Sequence, residues 1–362
     1  MNRYPSGLLI GKFYPPHVGH HALIRWASSR CDRLTVLVMA GATETVPLAD
    51  RMAWMRAEHH DDHRVRILGT RCDAPMDVTD EQVWTAQLAI MRAALGTDAD
   101  VDAVFCGDSY GPELARRFSA TAVPVERTPS SSTAIRADLA GRWSDLAPAT
   151  RAGLTTRVVV LGAESTGTTT VARALAEHYR ARGGAWAATT WVPEYGREHT
   201  EAKWAEQPGR LDEVVWNTAD FDAIAVEQTR REEAAARHGS PLLVCDTDAF
   251  ATAIWERRYL GAHARTGQPW TQVPPRAVYL VTDHVGVPWS DDGMREGDLA
   301  IRSAMTGWFV DALTRAGHSW VPLTGTLDQR VDLAVRTVDP LLDRAARFGE
   351  PLHGPGFEGQ TA

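Results

Sequence analysis

Two glycine-bearing segments hold most of the side chains able to do phosphate chemistry. The first, Gly11-Lys12-Phe13-Tyr14-Pro15-Pro16-His17-Val18-Gly19-His20, follows an apolar strand pattern and precedes a helical one that starts near His21. An ammonium, two imidazoles and helix-start amides thereby meet at the carboxyl edge of a sheet, where α/β proteins bind ligands. Gly19 lets backbone approach a phosphate closely, and His17 and His20 can donate to its oxygens as charge develops during transfer. The second segment, Gly162-Ala163-Glu164-Ser165-Thr166-Gly167-Thr168-Thr169, has two glycines at P-loop spacing behind another strand. Amides from Gly162 through Glu164, Ser165, Thr166 and Gly167 to Thr170 would cradle phosphates. Thr169 takes the position of the hydroxyl that ligates Mg²⁺, whereas Thr168 stands where the P-loop lysine belongs, so Arg197, Arg295 or another cation has to replace it or transfer is weak.

Further polar groups lie where such sites need them. Ser131, Ser132 and Thr133 open a helix that carries Arg136, a set of hydroxyls, amides and a guanidinium suited to a triphosphate. Asp246 and Asp248 stand just beyond the apolar run Leu242 to Cys245; one can hold Mg²⁺ through water and the other can take a hydroxyl proton. Glu194, Tyr195 and Arg197 follow a shorter strand, and Asp291, Asp292 and Arg295 lie in a polar stretch able to close over a ligand. The run Glu58-His59-His60-Asp61-Asp62-His63 has no fixed ligand spacing and reads as a solvated turn.

Elements that would position these groups recur along the chain. Short apolar runs at Leu8-Ile10, Leu34-Met39, Val65-Leu68 and Val101-Phe105 alternate with helical patterns, and a second series follows at Arg157-Leu161, Trp191-Val192, Leu242-Cys245 and Ala277-Val281. Strands alternating with helices predict βαβ units around parallel sheets. The expectation is two domains, residues 1–145 and 157–348, with a linker over 146–156 and a loose tail over 349–362.

Length and composition agree with this division. A chain of 362 residues exceeds what one hydrophobic core usually serves. The formal net charge of -8 gives no general attraction to nucleic acid. Cys31, Cys72, Cys106 and Cys245 form no CxxC pair, so neither zinc spacing nor a disulfide framework is expected. No signal h-region and no membrane-spanning stretch is read, which makes a cytoplasmic protein without membrane or nucleic-acid partners the expectation; a homo-oligomer is compatible with the sequence. The thirteen tryptophans show no pattern, and packing accounts for most of them.

The GKFxPxHxGH form of the first segment resembles the HxGH motif of nicotinamide-mononucleotide adenylyltransferases. The Ser131 to Arg136 segment resembles that family's ISSTxIR element, with Ser130 in place of the usual Ile. Asp108 and Tyr110 resemble part of its nucleotide-side loop, and Trp54 with Arg56 part of its nicotinamide- or phosphate-binding helix. The order GxxxxGTT, Pro-Glu-Tyr-Gly-Arg-Glu, Asp-Thr-Asp and Pro-Trp-Ser-Asp-Asp-Gly-Met-Arg resembles the ribosylnicotinamide kinase domain of NadR-type bifunctional proteins, so the resemblance spans nearly the whole chain. It implies an HxGH nucleotidyltransferase Rossmann-like domain followed by a P-loop kinase domain, both doubly wound. It also implies ATP, nicotinamide mononucleotide and nicotinamide riboside as substrates, with Mg²⁺. Lys12, His17, His20 and Arg136 would surround the transferred adenylyl group, with Gly11 and Phe13 on the ATP side. Asp246 or Asp248 would face the riboside hydroxyl, Asp291 and Asp292 would lie near the substrate or lid, and Arg295 would touch the transferred phosphate. Three alternatives stay open: a P-loop half that binds ATP only as a sensor, a different phosphate-ester acceptor, and an NAD-responsive repressor, for whose helix-turn-helix domain no room is read before Gly7.

Overall fold

The computed structural model describes residues 3–75, 77–96, 99–126, 129–206, 214–261, 273–288 and 299–351. The chain divides into two compact units, one running to Gly153 and resuming at Ala346, the other spanning Leu154–Ala345.

In the first unit the order is β1 (Tyr4–Gly11), α1 (Val18–Ser28), β2 (Cys31–Ala40), α2 (Leu48–Glu58), β3 (Val65–Arg71), α3 (Glu81–Leu95), β4 (Ala103–Cys106), α4 (Gly111–Phe118), β5 (Thr121–Pro124), α5 (Ser132–Ala137) and α6 (Pro148–Leu154). Its five strands are parallel in the order β3-β2-β1-β4-β5. Side chains alternate across the pleat: Leu9, Val36, Val38 and Phe105 pack with Ile24, Ala27 and Met55 of α1 and α2, while Leu8, Leu37 and Val104 pack with Trp84, Met91 and Leu114 of α3 and α4. The chain reverses its winding between β1 and β4, so the loops after these two strands bound the crevice of a doubly wound sheet.

The second unit runs β6 (Thr156–Gly162), α7 (Thr168–Arg180), β7 (Thr190–Val192), α8 (Tyr195–Glu206), α9 (Thr218–His238), β8 (Leu242–Asp246), α10 (Ala249–Leu260), β9 (Val278–Thr282), α11 (Leu299–Arg315), β10 (Trp320–Leu323) and α12 (Leu327–Ala345). Its strands are parallel in the order β10-β9-β6-β8-β7, with β6 central and fully buried. Val158, Val160, Val244 and Leu280 pack against α7 and α12 on one face.

Two parts of the organisation differ from the sequence expectation. The stretch expected as a linker contains α6, which starts at Pro148, a residue whose fixed φ suits a first helical position. It is anchored where Ala149 donates its N–H to Glu58 Oε1 at 2.7 Å and where the Trp54 indole lies so close to Gly153 that a β-carbon there would stand 2.1 Å from the ring. The stretch from Phe348 to Glu350, expected as the last residue of the second domain and the start of a loose tail, is bound to the first unit. The Tyr14 hydroxyl donates to Gly349 O, the Gly349 N–H to Thr45 Oγ1 and the Thr43 hydroxyl to Glu350 O, with the Phe348 ring edge-on to Tyr14.

Candidate active sites

The first site grows from the turn that leaves β1. Phe13 takes a left-handed backbone conformation, with φ of 47°, and buries its ring edge-on to His20 at 4.8 Å. Phe13 therefore orients an imidazole here. His17 caps α1: its Nδ1 accepts the Gly19 N–H at 3.1 Å, while His20 Nδ1 accepts the His17 N–H at 3.3 Å. With both Nδ1 atoms occupied as acceptors, each neutral ring carries its proton on Nε2. The two rings stack, with centroids 3.7 Å apart. Burial lowers His17 from the usual imidazole range to about 4, and burial, with His17 and His21 beside it, also holds His20 well below that range. Near neutral pH the pair is thus two uncharged N–H donors at the start of a helix, a geometry for stabilising charge on a phosphate oxygen.

Fixed positive charge is held at the same turn and at the start of α5. Lys12 donates to Glu44 Oε1 at 2.7 Å, and the buried Arg51 pairs with Glu44 Oε2 at 2.6 Å while donating to Lys12 O and Val46 O. Two cations share one buried carboxylate, so the trio keeps a positive charge and a fixed position. Arg136 donates to Tyr14 O at 2.7 Å and to Thr133 Oγ1 at 3.3 Å, with its guanidinium over the Tyr14 ring. Ser131 accepts the Ala134 N–H and caps α5, and Ser132 donates to Pro15 O, which ties the segment to the histidine turn.

Not every expected residue joins this group. The Tyr110 ring is partly buried and packs with Trp84 against the layer under α3 and α4; Asp108 stays in the loop after β4. Arg56 donates to Ile67 O on β3, and Trp54 covers Gly153. On helix α2 the residue that reaches the Lys12 turn is Arg51, which sequence reasoning passed over together with Glu44. The histidine-rich run is divided between separate contacts. His59 turns inward to His21 at 3.0 Å, Asp62 bonds Arg64 and Ser28, and His60 is exposed.

Burial also lowers His21 to about 3 and His59 to about 4. Unfolded imidazoles take a proton near 6.5, so between that pH and about 4 the unfolded chain binds more protons than the folded one. Stability is therefore expected to fall as pH drops through this window, by roughly 1–3 kcal/mol for each of His17, His21 and His59. Urea midpoints measured at pH 7, 5.5 and 4.5 check this, and midpoints unchanged across the series would exclude it.

The second site forms around the loop after β6. A β-carbon on Gly162 would stand 2.2 Å from Thr282 Oγ1, and Gly167 has φ of 86°, so both positions favour glycine for steric reasons. Thr166 is turned inward to Ala163 O and Thr282 Oγ1, Ser165 takes a left-handed φ of 52°, and Thr170 is exposed in the first turn of α7. Thr169 Oγ1 donates to Asp246 Oδ2 at 2.6 Å. This pairs the hydroxyl and carboxylate expected to face one metal ion, and hard oxygens of this kind suit Mg²⁺.

Asp248 has a different place. It is fully buried, caps α10 through the Ala251 N–H, and accepts from Arg276 Nε at 3.1 Å and from the Tyr279 hydroxyl at 3.0 Å. Arg276 also pairs with Glu232, whose carboxyl burial pushes up to about 7. Gln228 donates to Glu232 and accepts the Tyr195 N–H at 2.9 Å. Asp248 is therefore structural, part of a network that joins the start of α8 to the start of α10.

A hollow opens beside the P-loop. Trp216, Phe221, Trp255 and Tyr259 line one end, and Glu194 and Arg197 stand on its wall. Glu164, Glu194, Thr247 and Trp255 also border the smaller recess that holds Thr168 and Asp246, so an aromatic end and a phosphate end share a wall. The Tyr195 ring instead lies under Arg231, with the guanidinium 4.4 Å from its centroid. The expected Asp291, Asp292 and Arg295 lie outside the described residues. The aromatic lining was missed because its members come from separate parts of the chain. Gln228 and Glu232 did leave a signal, as polar residues on the buried stripe of α9 that also holds Phe221, Ile224 and Ala225.

Residues 8–137 match the family described as cytidylyltransferase-like, and residues 157–330 match that described as an AAA domain, so each unit carries a nucleotide-handling fold with its expected motif. The chain is of the NadR type. The Trifunctional NAD biosynthesis/regulator protein NadR of Salmonella typhimurium is 24% identical over 333 residues, which cover 85% of this chain and 76% of that protein. Its counterpart in Escherichia coli is 24% identical over 312 residues, or 80% and 71% of the two chains. A solved structure of a NadR protein in complex with NR shares the fold, with a TM-score of 0.62, 19% identity and coverage of 94% and 96%. Another, of a NadR protein with NAD and AMP-PNP, gives 0.59, 19% identity and coverage of 95% and 97%.

Proposed function

We propose that the second unit phosphorylates nicotinamide riboside with ATP and that the first transfers AMP from ATP to the resulting mononucleotide, giving NAD and pyrophosphate. The observation that carries the first step is the hollow with an aromatic end that shares a wall with the phosphate recess. Trp216, Trp255 and Tyr259 offer faces on which a pyridinium ring can stack, a favourable arrangement for a cationic ring. Glu194, on the shared wall, would take the proton of the riboside hydroxyl as that oxygen attacks the terminal phosphorus of ATP. Thr169 and Asp246 would hold Mg²⁺, which neutralises charge on the phosphates when bound.

In the first unit, the mononucleotide phosphate attacks the α-phosphorus and pyrophosphate leaves in the same displacement. No protein nucleophile is needed. The Nε2–H groups of His17 and His20 donate to the oxygens that gain charge, while Lys12 and Arg136 place fixed positive charge beside them. The names of the NadR relatives and the ligands in their solved structures support this pair of activities.

The test is to incubate the protein with nicotinamide riboside, ATP and Mg²⁺ and to separate mononucleotide and NAD over time. Accumulation of NAD is expected. Conversion of added mononucleotide alone, with none formed from riboside, would favour the sensor reading that Thr168 motivates. In the same assay Trp255→Ala is expected to raise the riboside KM about tenfold or more, in line with roughly 1–3 kcal/mol for a lost aromatic stack. Adenylyl transfer by the first unit serves as the unaffected control, and an unchanged riboside KM would remove Trp255 from the ring site.

A further inference from the structure

The missing P-loop lysine leaves the question of which positive charge faces the phosphates, and two buried arginines behind the loop bear on it. Arg302 of α11 donates from Nε to Glu164 O at 3.0 Å and from Nη2 to Ser165 O at 2.6 Å. Arg330 of α12 donates from Nη1 to Thr166 O at 2.7 Å. Three successive carbonyls of the loop are therefore held by guanidinium groups, and both arginines are only 4% exposed.

In a trans peptide the C=O and N–H point in opposite senses. Fixing the carbonyls of Glu164, Ser165 and Thr166 on the guanidinium side turns the N–H groups of Ser165, Thr166 and Gly167 the other way. These are among the amides that cradle phosphate in the phosphoryl-transfer reading, on which this inference rests. A charge-assisted bond at each carbonyl polarises its peptide unit and strengthens the N–H as a donor. Among the described residues Arg330 makes no ion pair. Its remaining donors go to Gly325 O and Asp283 O, and the Asp283 carboxylate acts on both arginines only at longer range. A buried guanidinium bound to neutral carbonyls leaves its charge to be balanced by an anion nearby.

We propose that Arg302 and Arg330 are positioning residues that replace the P-loop lysine, delivering positive charge to a nucleoside triphosphate through the loop's peptide dipoles instead of through a direct ammonium contact. The sequence candidates for this task were Arg197, which lines the hollow, and Arg295, outside the described residues. Arg302 and Arg330, by contrast, bind the loop's carbonyls directly.

The test compares Arg302→Gln and Arg330→Gln, each alone and combined with Thr168→Lys. Two readouts are used: the ATP KM for total mononucleotide plus NAD formed from riboside, and calorimetric affinity for Mg·ADP, a product of phosphoryl but not of adenylyl transfer. Each single arginine variant is expected to weaken Mg·ADP and raise the ATP KM at least tenfold, and Thr168→Lys is expected to recover most of that loss. A merely structural brace would not be rescued by an ammonium on the other side of the loop. Affinity within twofold of the parent protein, or a loss that Thr168→Lys leaves untouched while circular dichroism shows a folded chain, would overturn the proposal. If the parent makes no mononucleotide yet Mg·ADP affinity still follows the arginines and the lysine rescue, the kinase reading fails and the electrostatic role stands.

Discussion

Replacing His20 by Ala is expected to slow adenylyl transfer by about 10²–10³, the cost of removing one preorganised donor from developing charge. The loss belongs in kcat, because a neutral Nε2–H gains most when the phosphate oxygen gains charge. His20→Ala removes the reciprocal bond to the His17 amide as well, but that contact concerns only the first turn of α1 and is worth on the order of 1 kcal/mol. Melting should therefore shift far less than the rate. The activity should also show no loss attributable to His17 on going from pH 8 to about 5.5, since burial holds that ring neutral down to about 4. A rate that climbs on acidification through pH 6.5 would mean that the charged imidazole is the working form. A His20→Ala rate within threefold of the parent would remove the donor pair from the mechanism.

The second large effect concerns stability. Arg276→Leu is expected to cost the second unit about 3–5 kcal/mol, the loss typical of breaking a buried ion pair and leaving its partners uncompensated. Arg276 stands between Glu232 and Asp248, all three essentially buried, so its removal leaves two carboxyls facing each other's field. One can be neutralised by protonation, and Glu232 is already pushed up to about 7 by burial. The variant should thus lose less below pH 6 than at pH 8, a dependence that a simple cavity would not produce. Asp246→Asn makes the contrast. It should leave melting nearly unchanged and abolish phosphoryl transfer, because Asp246 meets Thr169 at the recess and lies outside the Arg276 network. Equal melting of parent and Arg276→Leu in urea would contradict the network account.

The sequence carried the local part of both sites. His17, Gly19 and His20 are set by the turn that follows one strand, and Gly162 to Thr169 by the turn after another, so spacing alone was sufficient to find them. Partners brought together by the fold were not readable in this way. Glu44 meets Lys12 and Arg51 from a loop beyond β2, and Trp216, Phe221, Trp255 and Tyr259 converge from α9, α10 and the stretch before α9. Periodicity found the central strands because they are apolar on both faces. It missed β5 and β10, which lie at sheet edges, are partly exposed and each contain a proline, Pro124 and Pro322. Asp248 was misread for a related reason. An Asp-x-Asp behind a strand places two carboxylates close in sequence, yet the turn at Thr247, with φ of 67°, sends Asp246 to the recess and Asp248 to Arg276 and Tyr279.

The Phe348 to Glu350 segment gives the first unit an unusual assembly order. It is made only after every residue of the second unit, yet it binds Tyr14, Thr43 and Thr45 beside the Lys12 turn. A nascent first unit therefore emerges with this edge uncovered and waits for the ribosome to finish the other domain before it can close. The earliest-made activity is in this sense the last to mature, and a fragment cut after Gly153 would keep every residue of the HxGH motif while lacking the strap that braces it.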